Sequence, residues 1–138
     1  MKKQILTKVA FFLLVLLSAI RSGFAYEQSE IIGYWAMQPL NNGIANVANF
    51  DDQGNATLYS FECDFKKHTF TVGEKEQNQY KLNGDTIQLF DGEEPLFNLK
   101  IITLTDKKMS LQQSFNSSSS LTFEYVRVKA LKPLCPVD

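Results

Sequence analysis

Few residues of this 138-residue chain have the types and spacing that catalysis or metal binding requires. His68 is the only histidine, and there is no Gly-x-Ser-x-Gly motif or glycine-rich phosphate loop. Acidic residues gather at Asp51-Asp52 and again from Asp91 to Glu94, but neither group has the ligand spacing of a calcium-binding loop. We therefore expect that the protein is not an enzyme and that it needs no cofactor and no metal.

Residues 1–25 have the layout of a secretory signal peptide. Lysines without any acidic residue precede an apolar run at 9–20, which is too short to cross a bilayer as a helix. Gly23 and Ala25 then place small residues just before Tyr26, where we expect cleavage. The sequence thus predicts a periplasmic or secreted protein with a single domain at 26–138 and no membrane attachment after cleavage.

The predicted mature chain is acidic. Four of the 14 basic residues and none of the 15 acidic residues lie in 1–25, so 10 basic and 15 acidic residues follow and the net charge is about −5. This part of the chain contains no cluster of Lys and Arg. Nucleic acid is therefore not an expected partner, because it is bound mainly through basic residues.

Cys63 and Cys135 are the only cysteines, and both follow the predicted signal peptide. An even number of cysteines in an exported protein favours one structural disulfide. A metal pair or a reactive thiol is the weaker alternative, because the sequence has no Cys-x-x-Cys spacing and no second histidine. The bridge would close a loop of about 73 residues, which the chain-entropy model values at roughly 4 kcal/mol.

The hydrophobic pattern after residue 25 alternates with the period of strands, and turn residues recur at intervals near ten. Asn83-Gly84 is typical of a tight hairpin, and Gly73 predicts the end of a strand. A change of phase within 96–104 predicts a β-bulge near Ile101, or else a strand that is covered on both faces. The expected fold is all-β, an antiparallel up-and-down meander of eight or nine strands that closes into a barrel, with a β-sandwich as the alternative.

Alternation also predicts which side chains face the interior. Trp35 lies on the inward face of the first strand, and the last strand places Leu121, Phe123, Tyr125 and Arg127 on one face. The first and last strands are neighbours in a closed meander. We therefore expect Arg127 to stack on Trp35 or to donate hydrogen bonds to backbone carbonyls at that end.

A Gly-x-Trp in the first strand (Gly33 and Trp35), an arginine in the last strand (Arg127) and a succession of antiparallel strands resemble the lipocalins and the wider calycin superfamily. The resemblance spans residues 30–129. The chain is short and leaves no room for a C-terminal helix, so it is most similar to small bacterial lipocalin-like proteins. The resemblance implies a lipocalin-like β-barrel domain at 26–138.

The resemblance also implies that the protein binds a small apolar molecule inside the barrel, and we expect it to be a monomer. The residues expected to bind it are Trp35, Phe50, Tyr59, Phe61, Phe70, Tyr80, Phe97, Phe123, Tyr125 and Arg127. The alternative is that these side chains simply fill the interior.

A second hypothesis is that the protein is a protein-binding inhibitor or immunity protein of the cell envelope, similar to the periplasmic lysozyme inhibitors. The acidic segment of this chain at 91–94 would suit a basic protein partner.

Overall fold

The computed structural model describes residues 25–137, so the predicted signal peptide lies outside the described residues except for Ala25. A single-turn helix and eight strands follow one another along this part of the chain. They are α1 (Gln28–Ile31), β1 (Gly33–Met37), β2 (Ile44–Phe50), β3 (Asn55–Asp64), β4 (Thr69–Asn83), β5 (Thr86–Asp91), β6 (Glu94–Leu104), β7 (Lys108–Ser114) and β8 (Ser120–Val128). Within 25–137, no helix is long and apolar enough to span a bilayer.

Every strand pairs antiparallel with the next, and β1 also pairs with β8, so the strands form a closed ring. The predicted all-β meander is confirmed, with eight strands.

The expected strand end at Gly73 is wrong, because β4 continues through it with a bulge opposite Ser60. A Cβ at Gly73 would lie 3.3 Å from the Ser60 backbone oxygen, so glycine permits this close approach. The bulge expected near Ile101 is confirmed by a register shift between Ile101 and Thr103.

Two hydrophobic clusters hold the ring together, one on each face of the sheet. The inner cluster lies inside the ring and includes Trp35, Phe50, Ile87 and Leu111. The outer cluster lies against β1, β2 and β3 and consists of Ala36, Ala45, Val47, Phe61, Cys63 and Cys135, with Tyr34, Tyr59, Phe70, Val128 and Leu134 packed around it. The chain after β8 therefore returns over the outside of the sheet and covers a second core.

The predicted disulfide is confirmed. Cys63 in β3 and Cys135 in the segment after β8 are bridged, with their Cα atoms 5.3 Å apart. Both cysteines are buried in the outer cluster. The bridge thus ties the C-terminal segment to the sheet at the point where that segment covers apolar side chains.

The turn between β2 and β3 is organised by the carboxylate of Asp51. It accepts hydrogen bonds from the backbone N–H groups of Gln53 and Asn55 at 2.9 and 2.8 Å and from the Asn55 side-chain amide at 2.9 Å. These donors stabilise the ionised carboxylate. The hydrogen bonds from Asn55, and then that from Gln53, therefore hold the pKa of Asp51 below its ordinary value of 3.8.

We expect this turn to make stability depend on pH in the acid range. The pKa of Asp51 is lower in the folded than in the unfolded chain. Asp51 therefore stabilises the fold fully at pH values above the ordinary pKa of 3.8, and this stabilisation is lost as the pH falls through the lowered pKa of the folded state. Asp51→Asn should flatten the acid limb of a plot of Tm against pH. Asp52→Asn, in the same turn, is the control and should keep the wild-type profile. An Asp51→Asn profile that matches wild type would contradict this role.

Candidate functional site

One end of the ring is closed by a stack of Arg127 on Trp35. The guanidinium carbon lies 4.2 Å from the centroid of the indole, which is completely buried. Arg127 pairs directly with Trp35 across the β1–β8 contact, as neighbouring strands require. Its three nitrogens donate hydrogen bonds of 2.6–2.7 Å to the backbone carbonyls of Glu30, Ile32 and Asp106. The expected stacking and the expected carbonyl contacts are both confirmed.

The chain before β1 folds over this same end. The Trp35 indole N–H donates to the carbonyl of Ile31 at 2.8 Å, so α1 is fixed above the ring. Gly33 has a φ of +124°, and a Cβ there would lie 3.0 Å from a terminal nitrogen of Arg127. Glycine is therefore required at this position both by the backbone conformation and by the approach of the guanidinium.

Tyr80 fastens the closed end from the other side of the ring. Its hydroxyl donates to the Asp51 carbonyl at 2.7 Å and accepts a hydrogen bond from the side chain of Gln28 at 3.0 Å. Its ring meets Phe50 edge-on, with centroids 5.1 Å apart. Burial raises the pKa of Tyr80 above its ordinary value. Tyr80 therefore helps Trp35 and Arg127 to close this end of the ring.

The interior beyond this closed end contains a cavity of about 190 Å³. This volume slightly exceeds that of an engineered protein cavity of about 150 Å³ that binds benzene. Its lining is mainly apolar: Ala48, Phe50, Ala56, Leu58, Leu89, Phe97, Leu99, Leu111, Phe123 and Tyr125, together with Asn46, Thr57, Glu76, Asn78 and Gln113. The aromatic side chains therefore leave space inside the ring for a small molecule.

The cavity reaches the surface between β4 and β6. β5 pairs only with Gln79–Asn83 of β4, so the preceding residues of β4 are hydrogen-bonded to β3 alone. Glu76 and Asn78 border the cavity on this stretch of β4, and Phe97 borders it from β6. Glu76 is exposed and Phe97 is 41% exposed. We call this edge, formed by Glu76, Asn78 and Phe97, the mouth.

The residues that were expected to bind a ligand are divided among three places. Four of them line the cavity: Phe50, Phe97, Phe123 and Tyr125. Three of them close the end of the ring, namely Trp35, Tyr80 and Arg127. The remaining three, Tyr59, Phe61 and Phe70, belong to the outer cluster.

The last three residues correct the expectation of a single aromatic interior. In β3, Leu58 lines the cavity, so its neighbour Tyr59 and the alternate residue Phe61 lie on the opposite face. Phe70 pairs with Cys63 and shares its face, where its ring meets Phe61 with centroids 5.7 Å apart. These three rings pack beneath the C-terminal segment and do not line the cavity.

The polar lining residues were not predicted from the sequence, and among them Asn46 is half-buried. It alternates in phase with Ala48 and Phe50 along β2, which was the available signal that it faces inward. Its side-chain nitrogen donates to the sulfur of Met37 at 3.2 Å. Among the buried side-chain polar atoms of residues 25–137, only its Oδ1 has no hydrogen-bond partner.

The ionisable groups in the lining are Glu76 and Tyr125. Burial raises the pKa of Tyr125 to about 12, although its contact with the Asn46 side chain lowers it. The phenol is therefore neutral at ordinary pH. In the described part of the chain, no group of three or more His, Cys, Asp or Glu side chains is placed to hold a metal ion. The site is suited to enclosing an apolar body beside neutral polar groups and one carboxylate.

Compared with known proteins, the sequence matches no family model and is significantly similar to no curated protein.

Proposed function

We propose that the protein is an exported, monomeric lipocalin-like barrel that binds a small apolar molecule in its interior cavity and has no enzymatic activity. The observation that carries the proposal is the cavity of about 190 Å³ with a mainly apolar lining. A small-molecule site of this kind gains affinity from apolar contact and orientation from a few polar groups. The described cavity has both components.

The disulfide and the predicted signal peptide support export together. Structural disulfides persist mainly in oxidising compartments such as the periplasm and the extracellular space. Cys63–Cys135 is buried in the outer cluster, as expected of a structural bridge rather than a redox-active one. A periplasmic or secreted protein is the location we propose.

Filling the cavity should weaken ligand binding strongly. Ala48 lines the cavity from β2 and is 8% exposed, so Ala48→Phe would place a phenyl ring in the space a ligand needs. We expect toluene to bind the wild-type protein and raise its Tm, and to bind Ala48→Phe at least about tenfold more weakly. Calorimetric titration and thermal unfolding would measure both effects.

Ala130→Phe is the matched control, because it adds the same side chain at an exposed position in the C-terminal segment. This variant should bind toluene as the wild-type protein does. Equal toluene affinity in Ala48→Phe and Ala130→Phe would contradict the proposed site, and so would the absence of any toluene effect on the wild-type protein.

A second candidate function is supported by the turn between β5 and β6. Asp91, Glu93 and Glu94 are all exposed there, beside Gly92 with a φ of +61°. Such a compact acidic turn suits a basic envelope protein, as an inhibitor or immunity protein would require. Replacing Glu93 and Glu94 with Gln should then reduce capture of that partner from envelope extracts at low salt. Capture of no basic protein by the wild-type chain would count against this function.

A further inference from the structure

We propose that the ligand of this cavity is an amphiphilic amine, whose apolar body lies inside the ring and whose ammonium group lies at the mouth beside Glu76. This inference rests on the proposed function and specifies the class of ligand. It depends on which charges line the cavity, which neutral acceptors surround them, and how large the cavity is.

The charge of the lining has one sign. Of the fifteen residues around the cavity, Glu76 is the only acidic one, and none is Lys, Arg or His. A carboxylate ligand, such as a fatty acid, would therefore bring its negative charge to a site without a cation to pair with it. Burying or crowding an unpaired charge is unfavourable, whereas an ammonium group at Glu76 would gain an ion pair.

The neutral polar groups near the mouth add hydrogen-bond acceptors. The Asn78 side-chain nitrogen donates to a carboxylate oxygen of Glu76 at 3.1 Å, which holds the carboxylate beside the cavity. The side-chain carbonyl oxygen of Asn78 is a further acceptor at the mouth, and that of Gln113 is another acceptor elsewhere in the lining. An ammonium group has three donors and no acceptor, so it matches a mouth of this composition.

Asn46 contributes to the same electrostatic pattern in the lining. The Asn46 side-chain nitrogen donates to the thioether sulfur of Met37, which leaves Oδ1 on the other side of the amide. Within residues 25–137, this oxygen has no hydrogen-bond partner. An oxygen of this kind adds partial negative charge near the cavity and offers no donor to an anion.

The volume limits the apolar body. A cavity of about 190 Å³ accommodates a single aromatic ring or a short aliphatic chain, and the ammonium group must remain at the mouth where water reaches it. Benzylamine fits this description. Benzyl alcohol is its neutral counterpart of nearly the same shape, and benzoate is its anionic counterpart.

The test is a calorimetric titration of the disulfide-bonded protein with benzylamine, benzyl alcohol and benzoate at neutral pH and low ionic strength. Benzoate should bind at least about tenfold more weakly than benzyl alcohol. The ratio of benzylamine affinity to benzyl alcohol affinity should fall about two- to fivefold in Glu76→Gln, the range expected of an exposed ion pair. High salt should lower the same ratio in the wild-type protein, because salt screens exposed charges.

Glu74→Gln is the matched control. Glu74 is exposed on the same strand and carries the same charge, but it does not line the cavity. The ratio should stay at its wild-type value in this variant. An equal fall in Glu74→Gln and Glu76→Gln would show a general effect of net charge and would overturn the inference.

The remaining outcomes separate the inference from the proposed function. If toluene and benzyl alcohol bind but benzoate binds as tightly as benzylamine, or if Glu76→Gln leaves the ratio unchanged, the cavity is a binding site and the amine assignment is wrong. If none of these molecules binds, the proposed function fails, and the amine assignment fails with it.

Discussion

Replacing Trp35 with alanine is expected to lower the free energy of unfolding by about 3–5 kcal/mol. The indole is completely buried in the inner cluster and supports three separate interactions. It packs against the core, stacks beneath Arg127 at 4.2 Å and donates a hydrogen bond to the carbonyl of Ile31. Alanine would leave a cavity under the guanidinium and remove one of the hydrogen bonds that hold α1 over the ring, so the closed end would loosen.

Trp35→Phe is the matched control, because it keeps an aromatic ring under Arg127 and loses the indole N–H and part of the volume. Its expected cost is about 1–2 kcal/mol. Urea unfolding followed by far-UV circular dichroism suits both variants, since Trp35 is the only tryptophan and its fluorescence is lost on mutation. A loss of less than about 1 kcal/mol in Trp35→Ala would contradict the account of the closed end.

Removing the disulfide is expected to cost about 4 kcal/mol. Cys63 and Cys135 are separated by 72 positions, so the bridge restricts most of the unfolded chain. It also holds the C-terminal segment over the outer cluster, which includes Val47 and Phe61. The expected loss is a large fraction of the 5–15 kcal/mol that typically stabilises a folded domain. The variant with Cys63→Ala and Cys135→Ala together should therefore unfold at much lower urea concentration.

A reducing agent provides the internal control for this prediction. It should destabilise the wild-type protein by nearly as much as the double substitution does, and it should have no effect on the double variant. A loss below about 1 kcal/mol in both experiments would mean that the packing of Leu134 and its neighbours, rather than the bridge, holds the C-terminal segment.

The strand order and the closed end were predictable because both follow from local patterns. Alternation in the last strand placed Phe123, Tyr125 and Arg127 on one face, and closure of the meander then required Arg127 to meet Trp35. Gly73 was misleading, because a glycine within an alternating segment marks a bulge as readily as a strand end. The two cases differ only in whether another strand, here β3 at Ser60, pairs across it.

The division of the aromatic residues between two faces was not predictable from alternation alone. Both faces of β3 carry apolar side chains, with Leu58 on one face and Tyr59 and Phe61 on the other, so the period does not say which face is inside. The informative residue was Cys63. It is in phase with Tyr59 and Phe61, and a bridge from it to the C-terminal segment implies that the segment covers that face.

The cavity and its charge depend on distances that a sequence does not contain. In the sequence, Asn46 and Glu76 are ordinary polar residues of alternating strands. Only the register of β2, β3 and β4 places both of them in the lining of the cavity. The short pairing of β5 with β4 creates the mouth, and no local motif predicts where that pairing stops.

The most direct test of the central proposal is a crystal structure of the disulfide-bonded protein equilibrated with toluene. We predict electron density for one toluene molecule inside the ring, in contact with Phe50, Leu111 and Phe123, with the stack of Arg127 on Trp35 unchanged. An interior filled by the protein's own side chains, or toluene bound only outside the ring, would contradict the proposal that this cavity is the ligand site.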